Sequence, residues 1–144
     1  MISVKKLLEG KRMPRLITLN PDNTVIEALQ VMADHNIGAI MIMEGSRLAG
    51  IFSERDYARK GIIQGRKAKS TPLHEVMIHD VITVNPEMSI EDCMNLFIDK
   101  RIRHLPVVRN NEVIGMLSIG DIVNAIIKEQ TDHIKFLEQY ITNG

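Results

Sequence analysis

The chain has 144 residues, and its 18 basic and 18 acidic side chains give a formal net charge of zero, which disfavours a protein dedicated to nucleic acid. An apolar fraction of 44% is ordinary for one compact domain with a buried core. A single cysteine excludes an internal disulfide framework, and no apolar run approaches the roughly 20 residues of a membrane-spanning helix, so we expect a cytoplasmic protein.

The first predicted elements are a short helix and a strand. Val4, Leu7 and Leu8 recur at helical spacing, which predicts a helical segment within residues 1–15. The apolar run LITL at residues 16–19 then predicts a short strand.

A capped helix and a hairpin follow. An Asn-Pro turn precedes Thr24, and Glu27 three residues later predicts a capping box at the start of a helix. Two apolar runs on either side of residues 44–47 predict a β-hairpin. A second helix is predicted to begin near Glu54 and to fade around Gly61.

The same order of elements recurs 65 residues later. The run VITV at residues 81–84 predicts a strand, and Ser89 predicts a helix start with Asp92 as a weaker partner than Glu. A hairpin is predicted around residues 109–112, and the last helix is predicted to begin near Gly120.

The last helix is longer than the repeat requires. It is predicted to run almost to Tyr140, and Ile134, Leu137 and Ile141 continue an apolar face. This extension is predicted to pack on the N-terminal helix or on a second subunit.

The repetition predicts the fold. Residues 16–56 align with residues 81–121 without a gap. Two copies of one unit, each too small to fold well alone, predict an α/β (α+β) fold of two β-α-β-β-α repeats related by a pseudo-twofold axis, with a cleft between them in one compact module. The predicted boundaries are an N-terminal helical segment at 1–15, the first repeat with its linker at 16–70, the second repeat at 71–130 and a C-terminal helical extension at 131–144.

The most informative motif is G-x-x-S-x-x-D, which occurs at residues 50–56 and 115–121, where a strand meets a helix. One interpretation is structural, because serine is a preferred N-cap and an acid three residues later completes a capping box. The other is functional, because amides at a helix start suit phosphate and a carboxylate can accept hydrogen bonds from ribose hydroxyls. The residues alone leave both interpretations open.

The doubled pattern of ITxNP, a capped helix, RHLPVV and GxxSxxD resembles a tandem pair of CBS domains over about residues 10–130. The chain also resembles small stand-alone bacterial proteins that are little more than this pair. The resemblance implies a regulatory module that binds an adenosyl ligand such as AMP, ADP, ATP, NAD or S-adenosylmethionine in the cleft and signals by changing conformation. It also implies a homodimer.

The resemblance assigns binding roles to residues of both copies. Asp56 and Asp121 would accept hydrogen bonds from ribose hydroxyls, and Ser53 and Ser118 would face phosphate or ribose. The other positions implied to line the adenine pockets and the apolar walls, or to complete the binding set, are Ile17, Thr18, Ile37, Ala39, Met41, Ile82, Thr83, His104, Pro106, Ile119 and Gly120.

The two copies differ in their cations. The second has Arg103 and His104 where the first has glycine and alanine, and the first has Arg55 where the second has Gly120. Because arginine offers paired donors to phosphate, we expect these three cations to bind phosphates, and the asymmetry predicts unequal sites. The alternative is that Arg103 lies on a solvated rim and that His104 is a partly buried strand residue.

Two other functions stay open. The first is a CBS-fold interaction protein that binds no nucleotide. The second is an enzyme, which is disfavoured because no paired acid and base, nucleophile constellation, Walker A, HExxH or CxxC motif is present. No metal or required cofactor is predicted, since the histidines lack ligand spacing, and the basic stretch at residues 59–70 is read as a solvated surface. An unidentified protein target would read the ligand state.

Overall fold

The computed structural model describes residues 2–10 and 16–143. Of the N-terminal helical segment predicted at residues 1–15, Val4–Gly10 is helical, and residues 1 and 11–15 lie outside the described residues. In chain order the elements are α1 (Val4–Gly10), β1 (Thr18–Leu19), α2 (Val25–His35), β2 (Ala39–Glu44), β3 (Arg47–Ser53), α3 (Glu54–Asp56), a π-helix (Tyr57–Ile62), a 3-10 helix (Leu73–Glu75), α4 (Ile90–Lys100), β4 (His104–Arg109), β5 (Glu112–Ser118) and α5 (Ile119–Asn143).

The first repeat forms a mixed three-stranded sheet in the order β1-β2-β3. β1 runs parallel to β2, and β2 runs antiparallel to β3, so the predicted hairpin and mixed sheet are confirmed. The apolar stripe of α2 packs on this sheet and buries Phe52 completely, which stabilises the fold by about 1.5–3 kcal/mol for a side chain of that kind. The buried residues of this core include Val25, Ala28, Met32, Ile40, Ile42 and Phe52.

The second repeat has a smaller sheet than predicted. β4 and β5 pair as a two-stranded sheet, but residues 81–84 form no strand, and Val84 alone makes an isolated parallel bridge to Val107. The Val84 amide donates to the Pro106 carbonyl at 3.0 Å. Because proline has no N–H, β4 cannot donate a ladder bond at Pro106, and the pairing stays at one residue.

Capping explains where α2 and α4 begin and end. Thr24 and Glu27 form the predicted capping box, whereas Ser89 accepts from the Asp92 amide without the reciprocal bond. Both helices end on a residue in the left-handed conformation, Asn36 at φ 52° and Arg101 at φ 53°. Asparagine tolerates that conformation better than arginine.

A short segment completes the core of each repeat. The Val4 amide of α1 donates to the Met88 carbonyl at 2.8 Å, and the Leu73 amide donates to the Asn23 carbonyl at 2.8 Å. Asn23 and Met88 occupy equivalent repeat positions, so residues 2–8, which include the start of α1, correspond to residues 71–77. The sequence interpretation placed residues 71–77 with the second repeat, but in the structure they pack into the core of the first through Leu73, Val76 and Met77.

The chain divides into two compact units. The first-repeat unit contains residues 16–83 and the hairpin tip at 108–114. The second-repeat unit contains α1, residues 84–107 and residues 115–143. Within the described residues, no helix combines the length and the hydropathy needed to cross a membrane, because even the 25-residue α5 carries several charges.

Candidate functional site

In the first-repeat unit, Ser53 ends β3 and caps α3. Oδ2 of Asp56 accepts hydrogen bonds from the Ser53 amide and hydroxyl, both at 2.9 Å, and the Asp56 amide donates to Oγ of Ser53 at 3.2 Å. The Glu54 amide donates to the Gly38 carbonyl at 3.1 Å, which ties this corner to the residue before β2. The capping interpretation is therefore confirmed for the first copy of the motif.

In the second-repeat unit, Ser118 ends β5 and Asp121 lies in the first turn of α5. The Ser118 amide donates to Oδ2 of Asp121 at 2.8 Å, and the Asp121 amide donates to Oγ of Ser118 at 3.1 Å. The Ile119 amide donates to the Arg103 carbonyl at 2.9 Å. Both corners share the two bonds of a capping box, which requires only the serine and the acid, and each box is worth about 0.5–2 kcal/mol.

Capping leaves groups at the corners that a ligand could use. Both aspartates are half-buried, and Oδ2 of Asp56 already accepts hydrogen bonds from Ser53. Between residues 16 and 143, no hydrogen bond to Oδ1 of Asp56 is found, and the amides of Arg55 and Gly120 have no acceptor. One carboxylate oxygen and one first-turn amide can together accept from a hydroxyl and donate to an anion.

The structure brings the strand residues of the first copy to this corner. Ala39 lies opposite Ser53 across the β2–β3 pair, and Met41 lies opposite the exposed Thr18. Ala39 is 0% and Met41 2% exposed, so these two predicted wall residues present almost no surface. The remaining predicted residues of this copy, Ile17 and Ile37, are half-buried.

The predicted residues of the second copy fall into different parts of the chain. Pro106 is buried within β4, and His104 is half-buried where β4 begins. Ile119 and Gly120 are exposed at the start of α5. Ile82, which is half-buried, and Thr83, which is exposed, belong to the first-repeat unit.

The three predicted phosphate ligands lie in two units. Arg55 is exposed on α3 in the first-repeat unit. Arg103 is exposed just before β4 in the second-repeat unit, next to His104. The corner hydrogen bonds hold the backbone beside both arginines, since the Arg103 carbonyl accepts from Ile119 and the amide of Glu54, next to Arg55, donates to Gly38.

Sequence reasoning missed two open grooves in the first-repeat unit, of about 590 and 870 Å³. Both are lined by Arg47, His79 and Asp80, and the smaller one also by Thr83. Ser53 and Asp56 line neither groove. Arg47 is paired with Glu44, and no motif or spacing in the sequence marks these residues as a group.

The described residues offer no metal site and no reactive thiol. No group of three or more histidine, cysteine, aspartate or glutamate side chains converges within residues 2–10 and 16–143. Burial, with a smaller contribution from the nearby Asp92 carboxylate, raises the pKa of the Cys93 thiol to about 11. Cys93 is therefore a neutral packing residue of α4.

A sequence model of the CBS domain matches the chain twice, at residues 11–62 and 73–128. The chain belongs to the CBS-domain family. It is 44% identical over 128 residues to the mitochondrial CBS domain-containing protein CBSX3 of Arabidopsis thaliana, covering 85% of this chain and 62% of that protein. It is 38% identical over 116 residues to CBS domain-containing protein YhcV of Bacillus subtilis, covering 80% of this chain and 82% of that protein.

A solved structure confirms the predicted fold. A CBS-domain protein from Burkholderia ambifaria MC40-6 superposes with a TM-score of 0.87 and 38% identity, covering 90% of this chain and 96% of that one. The chain spans less than two thirds of the length of the Arabidopsis relative. A pair of CBS domains indicates a regulatory module.

Proposed function

We propose that the chain is a sensor that binds adenosyl nucleotides such as AMP, ADP, ATP or NAD at its two strand-to-helix corners. The observation that carries the proposal is the corner at Ser53, where Oδ1 of Asp56 and the amide of Arg55 have no hydrogen-bond partner among residues 2–10 and 16–143 after capping. A ribose hydroxyl can donate to that oxygen, and a phosphate can accept from that amide. The equivalent corner at Ser118 offers the Gly120 amide.

A CBS pair of known structure supports the choice of ligand. The CBS domain pair of protein MJ0100, solved in complex with 5′-methylthioadenosine and S-adenosyl-L-methionine, has a TM-score of 0.77 and 23% identity to this chain. That level of identity shows a shared fold alone, so the ligands belong to that protein and reach this chain only by analogy.

Regulation requires that the ligand prefer one conformation. A nucleotide that binds two conformations of the chain with equal affinity would leave their populations unchanged, however tightly it bound. We propose that Arg55 at one corner and Arg103 with His104 at the other bind the phosphates, so that ligands of different phosphate number favour different states. An unidentified protein target would read the result, and the chain would act as a homodimer without a required cofactor or metal.

A thermal-shift screen tests the binding. Millimolar AMP, ADP, ATP, NAD and S-adenosylmethionine are added in turn, and at least one should raise the melting temperature of the wild type. The double variant Asp56→Ala with Asp121→Ala should melt at one temperature with and without that ligand. A ligand-dependent rise that survives in the double variant would refute the assignment of the ribose acceptors.

A matched control separates ligand binding from capping. Glu27 holds the same third helical position in α2, where its carboxylate accepts from the Thr24 amide at 3.2 Å, but it lies outside both corners. Glu27→Ala should therefore lower stability without changing the ligand-induced rise.

The capping boxes favour one alternative function. Since each serine and aspartate already stabilises a helix start, the motifs could persist in a CBS-fold interaction protein that binds no nucleotide. Absence of stabilisation by every ligand in the screen would favour that function.

A further inference from the structure

A long apolar surface of α5 is left exposed by the rest of residues 2–10 and 16–143. Every residue from 131 to 142 is exposed, including Phe136 at 63% and Tyr140 at 72%. Apolar side chains run along one face of the helix and are also exposed: Val123, Ile127, Ile134, Leu137 and Ile141. We call these five residues the α5 stripe. Exposed patches of this extent in soluble proteins mark interfaces.

The stripe is self-complementary about its centre. Gln130 lies on the same helical face, midway between Val123 and Leu137 in sequence. If two copies of α5 pack antiparallel about a twofold axis at Gln130, Val123 of each meets Leu137 of the other, and Ile127 meets Ile134. Twofold interfaces require such a surface, and the two central amides can hydrogen-bond each other and specify the register.

We propose that the α5 stripe is covered by the α5 stripe of a second copy of this chain, packed antiparallel about Gln130. The α5 stripe would then be the interface of the proposed homodimer, and this proposal does not depend on nucleotide binding. A standard interface buries about 800 Å² on each partner, and the five apolar side chains of the α5 stripe, 39–77% exposed, would form the apolar centre of such an interface.

The antiparallel direction follows from helix length. A parallel pair would leave the two segments beyond residue 130 packed only on each other, over fewer heptads than a stable coiled coil needs. In the antiparallel pair each extension lies on the part of α5 that is anchored in the partner's folded unit, where Ile122 is fully buried. Antiparallel packing also aligns the two helix dipoles in opposite directions, so that their interaction is attractive.

Cysteine cross-linking without nucleotide tests the register. Gln130→Cys should form a disulfide-linked dimer on mild oxidation, and a mixture of Val123→Cys and Leu137→Cys proteins should form the mixed dimer. Leu137→Cys alone should stay largely uncross-linked. Native Cys93 is buried and does not interfere. Self-linking of Leu137→Cys without the mixed product would refute the antiparallel arrangement.

Sedimentation equilibrium tests the surface with a matched pair of variants. Leu137→Glu places a charge in the stripe and should weaken the dimer by roughly 100-fold, as for a buried hot spot. Gln139→Glu places the same charge two residues away, on the opposite face, and should leave the dimer within about threefold. A monomeric wild type would refute both this proposal and the homodimer, whereas a wild-type dimer with neither cross-link would refute this surface alone.

Discussion

The two strand-to-helix corners share the same capping box but start different helices. After Ser53 the chain makes one α-helical turn, changes to a π-helix and ends at Ile62, whereas after Ser118 it continues for 25 residues. Gly61 is buried against the Tyr57 ring, and a β-carbon there would lie 2.8 Å from Cδ1 of that ring. Ile126 stands at the equivalent place in α5. The corner is thus set locally by a serine and an acid, while the following helix is set by packing.

The largest difference between the repeats is expected at a pair of equivalent glycines. A β-carbon on Gly50 would lie 2.8 Å from the Ile78 carbonyl oxygen, which cannot move easily, whereas one on Gly115 would meet the flexible Leu8 side chain at 2.9 Å. Gly50→Ala should therefore cost about 1–3 kcal/mol of unfolding free energy, and Gly115→Ala clearly less. Urea denaturation measures both, and equal losses would show that the repeats are packed more alike than described.

The helix caps should differ by a smaller amount. Thr24 shares a reciprocal box with Glu27, while Ser89 makes one side-chain cap bond. Both changes to alanine should destabilise by about 0.5–2 kcal/mol, with Thr24→Ala the more costly because it also releases Glu27. Urea midpoints in the reverse order would contradict the geometry of the caps.

The helix C-caps offer a stabilising substitution. Arg101 holds a left-handed conformation that Asn36 holds in the first repeat. Arg101→Asn should raise the unfolding free energy by a few tenths to about 1 kcal/mol, and Asn36→Arg should lower it similarly. If Arg101→Asn destabilises the protein in thermal unfolding, side-chain contacts of Arg101 outweigh its backbone conformation.

The smallest effect is a pH dependence from the first repeat. Hydrogen bonds from the backbone and side chain of Thr24, and from Asn23, lower the pKa of Glu27 below its ordinary value of 4.5. A lowered folded pKa gives stability that is present above the unfolded pKa and is lost as pH falls through the folded pKa. The stability difference between wild type and Glu27→Gln should therefore be constant near neutral pH and shrink below about pH 4.5.

Thr24→Ala supplies the control for that titration. Because Thr24 is the main cause of the lowered pKa, the acid-dependent part of the difference should largely disappear in a Thr24→Ala background. An unchanged acid dependence would place its origin elsewhere in the protein.

Much of the fold could be predicted from the sequence because the repeat doubles every local signal. Helix starts at Thr24 and Ser89 and both hairpins were predicted correctly, since caps and turns depend on neighbouring residues. The strand predicted at residues 81–84 was wrong, because pairing there depends on a proline that is distant in sequence. The packing of residues 71–77 on the first repeat likewise depends on contacts that periodicity does not encode.

The identities of the candidate site residues could be predicted from the sequence, but the exposure of their side chains could not. The motif indicated Ser53, Asp56, Ser118 and Asp121, and the structure shows their bonds. Local patterns do not report burial, so Ala39 and Met41 were predicted as pocket walls although their side chains are packed. Their role in ligand binding stays a prediction.

Native mass spectrometry with a stabilising adenosyl nucleotide tests the central claim most directly, since it counts ligands per chain. The wild type should bind two, Asp56→Ala and Asp121→Ala one each, and the double variant none. Two bound nucleotides in the double variant would contradict the account, because neither corner carboxylate would then hold the ligand.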